Sequence, residues 1–434
     1  MTSKTSAELC LNGRGGSGAI NVGLMFALAS ALLLADVQMA SAQTETVLYT
    51  FNGGVDGRYP YNDRLLRDAN GNIYGTTEAG GGSGCYGSFG CGTVFKLSPD
   101  GVDTILHRFA GGSDGANPYA GLVQDTEGNL YGTTGAGGTS GCGGSGCGIV
   151  FTLAPTDEEK VLHRFSGVPD GADPISSLVR DYNGNIYGAT VAGGAVTTSC
   201  NEGCGTFFSL TPSGREQVLH RFGVTSDDGW YADASPVRDS KGSFYGTVFY
   251  GGAYGSGAVF ELTASGKEKV LYSFCPKLGC AGDGQNPYSG LISDQTGNFY
   301  GTTFNGGVYQ AGAVFELTAT GEEKVLYSFT GRADGANPYA GLVRDESGNL
   351  YGTTVQGGES GCGGSGCGTV FEVTASGEEK TLYRFTGGAD GGNPFSGLVR
   401  DADGNLYGTT IYGGDLSCYN GYYYGCGVVF KVRP

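Results

Sequence analysis

The sequence predicts an all-β fold, a seven-bladed β-propeller with four antiparallel strands in each blade. A segment of the type Asn-Leu-Tyr-Gly-Thr-Thr occurs seven times, and four short strand-like segments accompany each copy. The mature chain begins with a fourth strand and ends just after a third. A repeat of this length that contains only strands is typical of a propeller. The tyrosines of the seven copies are Tyr74, Tyr131, Tyr187, Tyr245, Tyr300, Tyr351 and Tyr407.

Residues 122–165 show the repeat unit. Gly128 supplies the positive φ that the tight turn between the first two strands needs. No segment of the unit has an apolar period of 3.6 residues, so almost no helix is expected. The four predicted strands cover residues 122–125, 129–134, 148–153 and 161–165. In the seven units the third strands are predicted to begin at Gly92, Gly148, Gly205, Gly257, Gly312, Gly368 and Gly427.

The two ends of the repeat region are out of phase with the unit. Residues 47–51 resemble a fourth strand, and residues 428–432 form the last third strand. If the N-terminal strand joins the last blade, it closes the ring and pairs edges that would otherwise be open. An open solenoid would instead need distinct capping repeats. We therefore expect the N-terminal strand to complete the seventh blade.

Residues 1–42 lie outside the repeats and have the layout of a secretory signal. A basic start precedes an apolar run over residues 19–35, and Ala40-Ser41-Ala42 is a small-x-small cleavage site. The alternative is a retained membrane anchor, although the run is short for a span. We expect residues 43–434 to form a single propeller domain that is secreted or lies in the periplasm or cell envelope. No transmembrane segment is expected after cleavage.

The charge of the chain narrows the range of partners. The formal net charge is −17 at pH 7, which disfavours nucleic acid and anionic lipid. We expect a monomer whose partner is a glycan or a cell-surface protein.

Cysteine usage agrees with export. The twelve cysteines after residue 42 form six close pairs, which predicts six local disulfides. Zinc is the other interpretation, but the spacings vary and no histidine lies nearby. The predicted pairs are Cys85 with Cys91, Cys142 with Cys147, Cys200 with Cys204, Cys275 with Cys280, Cys362 with Cys367, and Cys418 with Cys426.

The recurring pattern Gly-Leu-Val-Arg-Asp…Gly-Asn-Leu-Tyr-Gly-Thr-Thr…Gly-Thr-Val-Phe is clearest from Gly341 to Phe371. It resembles the GloVer tandem-repeat family of secreted bacterial proteins, which often carry C-terminal surface anchors. The likeness covers residues 46–432 and implies an exported repeat protein, with no established activity to carry over. The sequence stops straight after the last predicted strand, which leaves surface anchoring open. A looser likeness to kelch and NHL propellers bears on the fold only.

The three histidines give no sign of a catalytic or metal centre. His107, His163 and His220 occupy a fourth-strand position that holds tyrosine in the other units, so we interpret them as packing residues. No histidine is then left for a Ser-His-Asp set or a copper site of the galactose-oxidase kind. We therefore predict no metal and no cofactor.

A ring of acidic residues allows two interpretations. Each aspartate precedes a glycine in the link between two blades, and could hold calcium or steer a cationic ligand. Alternatively it caps its own turn. Seven equivalent copies favour the structural role. The residues are Asp56, Asp114, Asp170, Asp228, Asp283, Asp334 and Asp390.

Unit four departs most from the repeat and is the predicted binding region. It carries the only tryptophan of the chain, and its loop has tyrosines in place of cysteines. Aromatic side chains beside acidic groups suit a sugar ring or a peptide. The predicted ligand-binding residues are Trp230, Tyr231, Asp228, Tyr250 and Tyr254, with Tyr309 of unit five.

These features predict a binding or scaffold protein that recognises an extracellular glycan or surface protein through its long loops. The alternative is a carbohydrate-active enzyme, a glycoside hydrolase or lyase with paired carboxylates on the same scaffold. No spacing singles out an acid and a nucleophile, so no catalytic residues are predicted. A structural envelope component is a third possibility.

Overall fold

A computed structural model describes residues 44–61, 64–85, 89–225, 227–276, 280, 282–358, 360–418 and 424–434. The predicted signal at residues 1–42 lies outside these ranges. The described chain contains seven four-stranded antiparallel sheets, arranged as the blades of a propeller. In this part of the chain, no helix is long and apolar enough to cross a membrane. The predicted fold class is confirmed.

The strands of each blade follow the chain from the axis outward, except that the seventh blade takes its outer strand from the N-terminus. The inner strands are Leu66–Arg67, Val123–Gln124, Val179–Arg180, Val237–Arg238, Ile292–Ser293, Val343–Arg344 and Val399–Arg400. The second strands are Ile73–Thr77, Leu130–Thr134, Ile186–Thr190, Phe244–Val248, Phe299–Thr303, Leu350–Thr354 and Leu406–Thr410. The third strands are Thr93–Leu97, Ile149–Leu153, Thr206–Leu210, Ala258–Leu262, Ala313–Leu317, Thr369–Val373 and Val428–Val432. The outer strands are Asp103–Arg108, Glu159–Arg164, Glu216–Arg221, Glu268–Ser273, Glu323–Ser328, Glu379–Arg384 and Glu45–Thr50.

Short elements occupy some of the loops. Two small two-stranded sheets pair Gly229–Trp230 with Tyr250–Gly251 and Gly284–Gln285 with Asn305–Gly306. The described 3₁₀ turns are Gly112–Asp114, Cys142–Gly144 and Cys362–Gly364.

All six predicted disulfides are formed, and each closes a short local loop. The disulfides join Cys85 to Cys91, Cys142 to Cys147, Cys200 to Cys204, Cys275 to Cys280, Cys362 to Cys367, and Cys418 to Cys426. The alternative interpretation of these cysteines as zinc ligands is therefore wrong, because every one of the twelve is bonded to its neighbour in the sequence pair.

The N-terminal strand closes the ring as predicted. Glu45–Thr50 pairs antiparallel with Val428–Val432, from Glu45 opposite Val432 to Thr50 opposite Val428. A register shift between Val47 and Tyr49 matches the shift that the other outer strands show at the same place. The seventh blade is therefore built to the same pattern as the rest.

The glycine of Tyr-Gly-Thr-Thr is explained by a phenylalanine on the third strand. Gly352 lies opposite Phe371 in the register, and a Cβ on Gly352 would lie 2.6 Å from the tip of that ring. The ring also meets Phe329 of the preceding blade edge to face, at 5.0 Å between centroids. Equivalent pairs join all seven blades: Phe51–Phe95, Phe109–Phe151, Phe165–Phe208, Phe222–Phe260, Phe274–Phe315, Phe329–Phe371 and Phe385–Phe430.

The aspartate after each inner strand holds the turn that follows. Asp345 accepts hydrogen bonds from the backbone and side chain of Asn349 and from the Tyr351 hydroxyl. Burial alone would raise the pKa of Asp345, but these bonds stabilise the carboxylate and hold its pKa below the usual value. The Asp, Asn and Tyr of the repeat therefore have a structural role.

Several strand boundaries differ from the sequence prediction; in the second unit, for example, the outer strand is Glu159–Arg164 where residues 161–165 were predicted. The third strands begin one residue later than expected, because Gly92 and its equivalents have positive φ, +99° at Gly92. At that position a Cβ would lie 2.4 Å from the carbonyl oxygen of Thr77, so glycine precedes the ladder instead of joining it. The inner strands pair over two residues, where four were expected.

Candidate functional site

The two faces of the ring differ in their loops. The short turns after the first and third strands contact each other on one face, where the Asn349 side chain accepts a hydrogen bond from the Ala375 backbone. We call the opposite face the upper face. There the link before each blade contacts the long loop after its second strand, as in the hydrogen bond from Ala336 N to the Gln356 carbonyl.

Seven equivalent positions of the links form an axial ring on the upper face. Each member directly follows the proline of its link, or the alanine that replaces it in unit four. The members are Tyr61, Tyr119, Ile175, Asp233, Tyr288, Tyr339 and Phe395. Five of the seven are aromatic, and Asp233 is the only acidic member.

Aromatic rings from distant units contact one another in the axial ring. Tyr61 lies 5.0 Å from Phe395 and 5.8 Å from Tyr339, between ring centroids. Tyr288 stacks on Tyr339 at 4.4 Å. Because Tyr61 belongs to the first unit and Phe395 to the last, the aromatic cluster is built by ring closure. Closer to the inner strands, a cavity of about 70 Å³ is lined by residues at and beside these strands, including Leu178, Leu291, Leu342 and Leu398.

Two carboxylates interrupt this apolar surface. The Tyr339 hydroxyl donates a hydrogen bond to Asp233 Oδ2 at 3.2 Å, and the Tyr119 hydroxyl donates to Glu78 Oε1 at 2.9 Å. Burial raises the pKa of Glu78, and the bond from Tyr119 partly opposes that shift. Burial and the nearby Asp233 hold the pKa of Tyr339 well above its usual value. The upper face thus offers hydrogen-bond acceptors among aromatic rings.

The predicted aromatics of unit four extend the axial ring outward. Trp230 stacks with Tyr250 at 6.0 Å, and Tyr231 meets Tyr250 edge to face at 5.8 Å. Phe249 contacts Tyr250 at 4.4 Å and Tyr288 at 4.0 Å. We call the series Trp230, Tyr250, Phe249, Tyr288 and Tyr339 the aromatic path. Tyr231 and Tyr250 are 42% and 40% exposed, so the outer end of the path is open to solvent.

The other predicted site residues lie apart from this path. Asp228 is 2% exposed and accepts a hydrogen bond from Val224 N below the surface. Tyr254 and Tyr309 are exposed, and neither ring contacts another aromatic ring in the described residues. Sequence reasoning missed the axial ring. The signal was present, since an aromatic residue follows the link proline in five of the seven units.

A cleft of about 690 Å³ opens between the second and third units on the upper face. Its lining includes Tyr119 and Ile175 of the axial ring, together with Asp173 and Glu202. Burial and the nearby Glu202 raise the pKa of Asp173 to about 6. The cleft therefore holds Asp173, with its raised pKa, beside a second acid, Glu202.

The aspartates of the links lie in seven rim clusters at the blade junctions. In each cluster, a tyrosine or histidine of one outer strand meets the link aspartate, and an acid at the start of the next outer strand lies close by. Asp334 accepts hydrogen bonds from Tyr327 Oη at 2.9 Å and from Thr330 N at 2.7 Å. This geometry supports the capping interpretation of the aspartate ring.

The second acid of every rim cluster has a raised pKa. Burial is the main cause, and the neighbouring aspartate adds repulsion in each case. For Glu323, burial and Asp283 raise the pKa to about 7, partly opposed by Tyr272. The seven acids are Glu45, Asp103, Glu159, Glu216, Glu268, Glu323 and Glu379.

Replacing Glu323 by glutamine is expected to make stability less dependent on pH. A raised folded-state pKa contributes stability that is present below about pH 4.5 and lost as the pH rises through about 7. At pH 8 the Glu323→Gln variant should therefore be more stable than the parent by about 1 kcal/mol, after allowance for solvent screening. The measurement is the unfolding midpoint, Tm, at pH 5 and pH 8.

Glu322→Gln is the matched control, because it removes the same charge from an exposed neighbouring position. We expect it to leave the difference between the two pH values unchanged. The same pH dependence of Tm in the Glu323→Gln and Glu322→Gln variants would contradict the assignment of the raised pKa to the rim cluster.

The comparisons with known proteins agree with this architecture. A family model described as "Gloeobacter/Verrucomicrobia repeat" matches residues 18–199 and 232–434. No curated protein matches the sequence.

Solved structures of low sequence identity share the fold. The extracellular domains of two hybrid two-component systems of B. thetaiotaomicron align with TM-scores of 0.53, at 14% and 12% identity. The alignments cover 90% and 87% of this chain but only 41% and 40% of those chains, so this chain spans about two fifths of their length. A fungal alcohol oxidase in complex with copper aligns with a TM-score of 0.52 at 13% identity, over 87% of this chain and 75% of that chain.

Proposed function

The chain belongs to the Gloeobacter/Verrucomicrobia repeat family, and from the geometry of its upper face we propose that it is an exported propeller that binds an extracellular glycan. Export would remove residues 1–42 and place the six disulfides in an oxidising compartment, where such bonds persist. The ligand would contact the exposed outer end of the aromatic path, at Tyr250 and the neighbouring Tyr231.

The aromatic path is the observation that carries this proposal. Sugar rings bury their apolar faces against aromatic side chains and keep their hydroxyl groups available for hydrogen bonds. Tyr231 and Tyr250 give an exposed starting platform, and the contacts through Phe249 and Tyr288 lead to Asp233 near the axis. A carboxylate at that place would accept hydrogen bonds from sugar hydroxyls.

The test is a glycan-array screen of the full chain with a Tyr250→Ala variant. Tyr250 is 40% exposed, so its removal should leave the fold intact and weaken glycan binding at least about tenfold. Trp230→Ala should weaken binding further, but this side chain also packs on the core between the third and fourth blades. Affinities of array hits are then measured by calorimetry.

Tyr254→Ala is the matched control. It removes an exposed tyrosine from the same loop but away from the aromatic path, and should bind as the parent does. Absence of binding across polysaccharides would contradict the glycan proposal and favour a cell-surface protein as partner. Equal losses for Tyr250→Ala and Tyr254→Ala would contradict the aromatic path as the site.

The cleft between the second and third units supports a second candidate, a glycoside hydrolase. Such enzymes use two carboxyl groups, one of which has a raised pKa and acts as the acid, and the raised pKa of Asp173 suits that role, with Glu202 in the same cleft. Turnover of a bound glycan that is lost in both Asp173→Asn and Glu202→Gln would support the enzyme. Binding without turnover would leave the protein a lectin-like receptor.

A further inference from the structure

The rim cluster that contains His220 differs in geometry from those that contain tyrosine. Tyr327 and Tyr272 donate hydrogen bonds to their aspartates at 2.9 and 3.1 Å. His220 Nε2 instead lies 3.4 Å from Asp228 Oδ2, and this nitrogen has no hydrogen-bond partner among the described residues. The histidine is thus close to the carboxylate without being bonded to it.

Three metal-ligating side chains meet at this junction of the third and fourth blades. Ligand atoms of His220, Asp228 and Glu268 all lie within 4.8 Å of one another. The Asp228 side chain is only 1% exposed, and its Oδ1 atom is buried with no hydrogen-bond partner among the described residues. Burying an unpaired carboxylate oxygen is costly, so the cluster has an unfilled requirement for a donor or a cation.

We propose that His220, Asp228 and Glu268 bind a zinc ion. One imidazole nitrogen and two carboxylate oxygens are ligands that zinc accepts in proteins. Ligands at about 2.0–2.1 Å around a tetrahedral ion lie about 3.3 Å apart, close to the 3.4 Å between His220 Nε2 and Asp228 Oδ2. A divalent cation would also neutralise the two crowded carboxylates.

The ion would join parts of the chain that the sequence places far apart. His220 and Glu268 lie on the outer strands of neighbouring blades, and Asp228 lies in the link two residues before Trp230. Zinc at this position would fix the start of the short strand that carries Trp230 and pairs with the strand of Tyr250. The site is distinct from the glycan surface and does not depend on it.

The test is to titrate the chelator-treated full chain with Zn²⁺, measuring binding by calorimetry and stability by the unfolding midpoint, Tm. We expect saturable binding with a rise in Tm. The His220→Tyr variant should bind Zn²⁺ at least about 100-fold more weakly. It loses a direct ligand, and loss of an outer-shell partner alone costs about 10- to 100-fold in metal affinity. Tyrosine occupies this position in four other rim clusters, so the variant should fold.

His107→Tyr is the control, because its cluster has a more exposed aspartate, and it should keep the zinc-induced rise in Tm. The His163 cluster has the same ligand types, but its Asp170 side chain is 17% exposed. Unchanged zinc binding in His220→Tyr would overturn the proposal. The proposal would also be overturned if only His163→Tyr lost zinc binding, or if the folded parent showed no saturable binding. Equal stabilisation by Ca²⁺ would overturn the assignment of the site to zinc.

Discussion

A chain that lacks residues 44–50 is expected to lose its monomeric folded state. The deletion removes the whole outer strand of the seventh blade and leaves Val428–Val432 with an unpaired edge. Open edges invite pairing with other chains. The loss should exceed about 5 kcal/mol, which is comparable to the net stability of a whole domain. Size-exclusion chromatography with light scattering and thermal unfolding measure the outcome.

Moving the strand provides the matched control for this deletion. Residues 45–50 would be attached after Val432 through a copy of residues 374–378, the turn that joins the third and outer strands in the sixth blade. This variant should regain the monomer and most of the parent Tm. A stable monomer without residues 44–50, or no recovery in the relocated variant, would contradict the role of strand pairing in closure.

Replacing Phe371 by alanine is expected to lower the free energy of unfolding by about 3–5 kcal/mol. The ring is fully buried, lies over Gly352 and meets Phe329 of the preceding blade, so its loss leaves a cavity at a blade junction. Denaturant unfolding with intact disulfides measures the change.

A double-mutant cycle tests the packing of Gly352 under this ring. Gly352→Ala alone should cost about 1–3 kcal/mol, because the added Cβ would lie 2.6 Å from Phe371. In the Phe371→Ala background, the same methyl group fills part of the cavity and should cost much less. Gly341→Ala is the control, since its nearest atom would be 3.5 Å away. Additive effects in the cycle would rule out the proposed contact.

The repeat made most of the fold predictable from sequence. The strand-forming segments were sufficient to predict seven blades. The phase of the two chain ends was sufficient to predict closure of the ring by Glu45–Thr50. The close cysteine pairs likewise predicted all six disulfides, because each bond links residues that are near in sequence. The inner strands were predicted too long, since only two residues of each pair with the second strand.

The candidate site was predictable only in its outer part. Trp230, Tyr231 and Tyr250 stood out because they break the repeat, and the structure brings them together. The residues of the axial ring occupy the same position in every unit, so they did not stand out in the sequence. The ring forms only through contacts between residues that are far apart in the chain. Tyr339 and Asp233 are 106 residues apart in the chain, and no local pattern indicates that they share a hydrogen bond.

Ring closure also imposes an order on the biogenesis of the protein. Glu45 pairs with Val432, so the two partners are separated by 387 residues, the difference of their numbers. The first strand to leave the ribosome is therefore the last to find its partner. Until the last strand has been synthesised, it remains an exposed β-segment of the kind that pairs with the wrong chain. The interval between synthesis of Glu45–Thr50 and closure of the ring is therefore the period in which this edge is open to incorrect pairing.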